Sequence, residues 1–195
     1  MRRKSDWCFS SVFGLTIMLA MSATPLQAQS IEEKVEACAG CHGADGKPID
    51  SLIPTIWGQQ QGYLYIQLRD FKRGDRKSDI MQPIASAMER TDMLAIAEYF
   101  SRKPWPNLGQ PRAPKDVAGK ALSANRSVGC TGCHLDQFQG DGTVPRLSGM
   151  SREYLAKTID DFRTRARGNN PGMTDLMLAT APDDLTALTE YLAGM

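Results

Sequence analysis

Two five-residue stretches, Cys38-Ala39-Gly40-Cys41-His42 and Cys130-Thr131-Gly132-Cys133-His134, stand 92 residues apart and limit what this chain can become. Four of the five cysteines and both histidines lie in them. C-x-x-C-H is the attachment signature of a c-type haem. Two thiols add across the haem vinyl groups, the turn between them matches the porphyrin edge, and the adjacent imidazole reaches the iron. A structural zinc site would want its C-x-x-C pairs about 15–20 residues apart, and a redox disulfide would want a βαβ context. Neither is present. The motifs therefore imply two covalently bound haem c groups, attached at Cys38, Cys41, Cys130 and Cys133, with His42 and His134 as one axial ligand of each iron.

The residues between and after the motifs repeat as well. At an offset of 91, Pro54, Ile56, Gly58, Tyr63, Leu64, Phe71 and Arg76 pair with Pro145, Leu147, Gly149, Tyr154, Leu155, Phe162 and Arg167; at 92, Tyr99 pairs with Tyr191. Two copies of one unit explain this economically. Residues 104–114 hold four prolines, which cannot sit inside a helix or a central strand, and the run from Lys103 to Pro114 reads as an extended, stiff linker. The expected organisation is a signal segment 1–28, a unit 29–103, the linker 104–114 and a unit 115–195. Units this small bury little apolar surface unaided, and a covalently held haem would complete each core.

The periodicity is helical throughout. Ile31, Val35 and Cys38 share one face, as do Val117, Ala121, Ala124 and Val128, which predicts a helix running into each C-x-x-C-H. Central helices are expected over Tyr63–Arg73 and Arg152–Arg163. Each unit closes with a helix, capped at Thr91-Asp92 in the first and opened by Pro182-Asp183-Asp184 in the second. With no convincing alternating run for a strand, the expected fold is all-α.

Arg2, Arg3 and Lys4, an apolar run from Val12 to Met21 and the Pro25–Ala28 stretch read as an export signal cleaved before Gln29. That apolar run is shorter than the ~20 residues of a spanning helix, so no stable membrane insertion is expected after cleavage. Cys8 precedes the run, the wrong place for a lipid-bearing cysteine. Without residues 1–28 the chain keeps 20 basic and 21 acidic side chains, which argues against nucleic acid as a partner.

With both histidines used, the far face of each iron needs another donor, and His/Met ligation raises a haem's potential. Among the methionines that follow the export segment only Met81 lands on another methionine, Met173, under the 92-residue shift. Both stand beside a proline in what reads as a loop before the last helix, and Met177 is the competing candidate in the second unit. Pro54 and Pro145, 12 and 11 residues after the histidines, are either ordinary loop prolines or the carbonyls that orient the imidazoles. Arg76 and Arg167 are candidates for pairing with haem propionates or for plain solvation, and Tyr99 and Tyr191 for packing the last helix on the first. The basic stretches Arg69–Lys77 and Arg163–Arg167 are either docking patches for an acidic partner or solvated faces.

These motifs resemble those of the di-haem class I cytochromes c of the cytochrome c4 family, over essentially all of residues 31–195. The resemblance implies two cytochrome c domains related by an approximate twofold, His42/Met81 and His134/Met173 ligation, and electron transfer in the bacterial periplasm towards a terminal oxidase. The alternatives are an electron-transfer subunit of a periplasmic dehydrogenase and, from the enzyme class, a di-haem peroxidase or a thiosulfate-oxidising cytochrome. The partners implied are redox proteins that donate and accept electrons. The long proline-rich linker departs from the pattern and leaves the tightness of domain packing open.

Overall fold

The computed structural model describes residues 30–195; the export-signal reading and Cys8 fall outside the described residues. Four helices form the N-terminal unit: α1 (Ile31–His42), α2 (Gln61–Arg73), α3 (Met81–Ser86) and α4 (Arg90–Ser101). The C-terminal unit holds α5 (Lys115–Val128), α6 (Thr131–His134), α7 (Arg152–Arg163), α8 (Pro171–Ala179) and α9 (Pro182–Ala193). Among the described residues the only β pairing is an isolated bridge between Asp141 and Val144. The fold is all-α, as the periodicity implied.

Helix α1 begins with a capping box: Ser30 Oγ accepts from the Glu33 N–H while the Glu33 carboxylate accepts from the Ser30 N–H, which satisfies two otherwise orphaned donors. It runs unbroken into His42 and stops at Gly43, whose φ of 87° turns the chain so tightly that a Cβ there would stand 1.9 Å from the Lys47 carbonyl oxygen. The matching helix of the second unit does not run through. It ends at Val128, Gly129 takes φ 79°, and the second motif forms the separate short helix α6. Glycine leaves a helix at little steric cost, and the first unit has Ala37 at the matching place. The start of α4 also differs from expectation, because Glu89 rather than Thr91 or Asp92 occupies its N-cap and no side chain caps it.

The first and last helices of each unit pack together. Val35, Leu64, Ile96, Ala97 and Phe100 form the N-terminal core, with Tyr99 against it. In the C-terminal unit Ala121, Ala124, Ala187 and Leu188 let α5 and α9 approach closely, and Tyr191 packs against them. Both tyrosines thus do the packing expected of them. A second cluster of Phe138, Met150, Leu155, Leu192 and Ala193 fills the space beneath Cys130.

The two units meet along a seam with reciprocal contacts. Arg76 of the first donates to Tyr154 Oη of the second at 3.0 Å, and Arg167 of the second donates to Tyr63 Oη of the first at 3.3 Å. Both guanidiniums also donate to Gln67 Oε1, at 2.9 and 2.8 Å. Asn169 adds bonds to Gln67 and to the buried Asp70. These arginines are therefore neither solvated nor part of a docking face; Arg167 is 6 % exposed.

The linker is ordered against the second unit. Gln110 donates to the carbonyls of Met150 and Ala193 and accepts from the Arg152 N–H. Trp105 lies between Gly58 and Gly149, where a Cβ would meet its backbone and its indole respectively. These glycines are repeat partners, so the linker's tryptophan touches the same position of both units, and elsewhere on the seam a Cβ at Gly62 would stand 2.7 Å from the Gly142 carbonyl oxygen. Packing between them is tight.

Candidate haem sites

In each unit the two thiols lie one helical turn apart, with the imidazole next to the second. Cys41 and Cys133 are exposed, while Cys38 and Cys130 are half-buried against the cores. All four thiols are free. Burial pushes the Cys38 and Cys130 thiols up, each partly offset by a hydrogen bond with the backbone.

Both imidazoles are buried, His42 at 7 % and His134 at 6 % exposure. Each Nδ1 lies within hydrogen-bond distance of a proline carbonyl, His42 with Pro54 at 2.8 Å and His134 with Pro145 at 2.9 Å. A carbonyl can only accept, so Nδ1 carries the proton and Nε2 holds the free lone pair that a metal needs. Burial lowers both imidazole pKa values, with the proline bond acting in the opposite direction. The prolines are thus the orienting carbonyls rather than ordinary loop residues.

The two candidate methionines are not in loops. Met81 opens α3, and Met173 lies in the first turn of α8. The Met81 N–H donates to Ser78 Oγ and the Met173 N–H to Asn170 Oδ1, both at 3.1 Å. Ser78 and Asn170 are themselves 92 residues apart. One local device, a polar side chain capping the amide three residues on, therefore presents both methionines. Both are half-buried, whereas Met177 is 5 % exposed within a cluster with Phe162 and Leu185, and Met93 and Met150 are equally sealed in cores. The repeat and the packing together favour Met173 over Met177.

Buried polar atoms left without partners fit a haem here. Thr55 Oγ1, Trp57 Nε1 and Trp105 Nε1 make no hydrogen bond with protein, and Thr55 directly follows the proline that holds His42. Such donors are costly unless an acceptor meets them, and the carboxylates of a haem are acceptors. The guanidiniums of Arg76 and Arg167 donate only to neutral oxygens and keep further N–H groups for the same purpose.

A cytochrome c family model matches residues 31–102. Cytochrome c4 from Azotobacter vinelandii is 30% identical over 93% of this chain and 97% of its own length. A thiosulfate dehydrogenase electron acceptor from Stutzerimonas stutzeri is 32% identical over 97% of this chain and 94% of its own. The crystal structure of reduced cytochrome c4 from Pseudomonas stutzeri superposes with a TM-score of 0.74 at 28% identity, covering 86% of this chain and 100% of that one. With the duplicated C-x-x-C-H units, the paired proline-held histidines and this coverage along both halves, the chain belongs to the cytochrome c4 family of di-haem class I cytochromes c, with two covalently bound haem c groups.

Proposed function

We propose that this electron carrier works in the periplasm with Cys38 and Cys41 holding one haem under His42 and Met81, and Cys130 and Cys133 holding the other under His134 and Met173. Residues 29–103 and 115–195 are then its two haem domains, and 104–114 the connection. The observation that carries the ligand assignment is the identical capping of Met81 by Ser78 and of Met173 by Asn170. Bound haem supplies a reversible one-electron change at iron. The chain's part is to keep the coordination from rearranging: Pro54 and Pro145 fix the ring planes and tautomers, and the capped first turns of α3 and α8 fix the two thioethers. A site that moves little between oxidation states suits transfer rather than bond-making, and both histidines of the chain are already engaged, which leaves no imidazole for acid–base work on peroxide.

Visible spectra and a redox titration of the purified holoprotein test this reading. Two low-spin haems with the sulfur-to-iron charge-transfer band are expected. A high-spin ferric haem that consumes peroxide rapidly would overturn it.

The thiosulfate dehydrogenase electron acceptor among the relatives favours one narrower role, as acceptor from a periplasmic dehydrogenase that passes electrons on towards a terminal oxidase. Co-purification with such a dehydrogenase, and reduction of both haems by it, separates this role from that of a carrier serving other donors.

A further inference from the structure

The carbonyl that receives the His134 proton belongs to the Pro145–Arg146 peptide, and the N–H at the other end of that same planar group is not free. It donates to Gln59 Oε1 at 2.7 Å, and Gln59 Nε2 returns a bond to the Arg146 carbonyl at 3.0 Å. Gln59 belongs to the opposite unit and is 2 % exposed. Its neighbour Gln60 donates to the carbonyls of Gln139 and Gly140, and the Tyr63 N–H to that of Gly142. The Gly140 N–H in turn donates to the His134 carbonyl. The whole segment 139–146 that carries the histidine's partner is tied to the N-terminal unit.

Nothing equivalent runs the other way. The repeat partners of Gln59 and Gln60 are Met150 and Ser151; Met150 is buried in its own unit's core, and Ser151 donates to the carbonyl of Ser51. The matching peptide, Pro54–Thr55, still holds His42, yet the Thr55 hydroxyl is partnerless and no side-chain amide meets the peptide among the described residues.

We infer that Gln59 is a positioning residue for the proximal histidine of the other unit, fixing the Pro145–Arg146 peptide and thereby the bond that sets the basicity of His134. This rests on His134 being an axial ligand. Hydrogen bonds in a chain polarise one another, so an acceptor at the Arg146 N–H makes the Pro145 oxygen a better acceptor for His134. A ligating imidazole that donates more strongly is more basic and favours the ferric state. Gln59 therefore lowers the potential of the C-terminal haem, and a change in one domain is read out in the other.

The test is Gln59→Leu in the holoprotein, with each haem's potential followed by spectroelectrochemistry and the His134 Nδ1–H followed by NMR. At a fixed potential the ferrous-to-ferric ratio of the C-terminal haem should rise about threefold to tenfold, tenfold being about 59 mV for one electron, while the N-terminal haem stays put. Tyr63→Phe loosens the seam by removing only the hydroxyl that meets Arg167, and should move neither haem. An equal shift in both haems, a shift confined to the N-terminal one, the same C-terminal shift in Tyr63→Phe, or no shift with both His/Met haems intact would each overturn the inference. A wild-type protein without two His/Met haems would instead overturn the ligand assignment beneath it.

Discussion

Replacing Arg167 by leucine tests what holds the seam. The side chain donates from Nε to Asn169 at 3.0 Å and from Nη2 to Gln67 at 2.8 Å and Tyr63 at 3.3 Å, and its guanidinium carbon lies 4.4 Å from the centroid of the Phe162 ring. A hydrogen bond from a charged donor contributes about 1.5–3 kcal/mol, and the ring contact about 0.5–1 kcal/mol. Against them stands the cost of keeping a guanidinium out of water among neutral acceptors, several kcal/mol. What the leucine leaves behind decides the sign. Gln67 Oε1 keeps its bonds from Arg76 and Asn169, but Tyr63 Oη and Asn169 Oδ1 each lose the donor they have here. Leucine also recovers apolar contact with Phe162. The net loss should be about 1–3 kcal/mol, and the part carried by Tyr63 and Gln67 falls on the contact between units. Guanidinium chloride unfolding, followed at each haem separately, should show the coupling between units weakened, with their transitions moving apart. An Arg167→Leu protein as stable as its parent, with one shared transition, would mean that desolvation outweighs the bonds and that the seam is held elsewhere.

Three further outcomes follow from the sites. Met81→Ala or Met173→Ala should open only its own iron, lowering that haem's potential and admitting exogenous ligands, while Met88→Leu leaves both spectra unchanged. Cys38→Ser with Cys41→Ser should leave the N-terminal unit without its haem and largely unfolded by circular dichroism and protease resistance, because binding free energy here is folding free energy. Tyr154 provides a pH signature. Burial alone would raise its phenol, but the charges of Arg76 and Arg167 outweigh burial and bring it from 10.0 to about 8. A lowered folded-state value means stability that is fully present above the unfolded value and is lost as pH falls through about 8. Equilibrium unfolding should thus show a gain in stability from pH 8 to 10 that Tyr154→Phe abolishes.

Much of the site was legible because the chemistry is carried by residues that repeat. The histidine–proline spacing and the Met81–Met173 coincidence needed only the two copies laid side by side. Ser78 and Asn170 match at the same 92-residue shift, but as different residue types they do not stand out as a repeated pair. Arg76 and Arg167 were visibly paired, yet the sequence could not say that each reaches the tyrosine of the other copy, because a repeat reports equivalence and not contact. Gln59 was hidden by the same logic: its partner lies 87 residues away and its counterpart is an apolar methionine. Helix α5 stops short for a local reason, Gly129, which the helical face of Val117, Ala121, Ala124 and Val128 masked.

The ordered linker has a consequence for the two units as separate molecules. A short tether holds its ends at an effective concentration on the order of millimolar, and the chain from Trp105 to Gln110, laid on the second unit, narrows the search further. A seam that stays shut under those conditions needs an intrinsic affinity no tighter than about 1 mM, about 4 kcal/mol. At an affinity of only that order, two haem domains expressed apart and mixed at micromolar concentration would remain apart, and Gln59 would have no peptide to hold. The covalent connection lets even a weak recognition between duplicated domains serve as a permanent one, and so lets the surroundings of one haem be finished by the neighbouring unit.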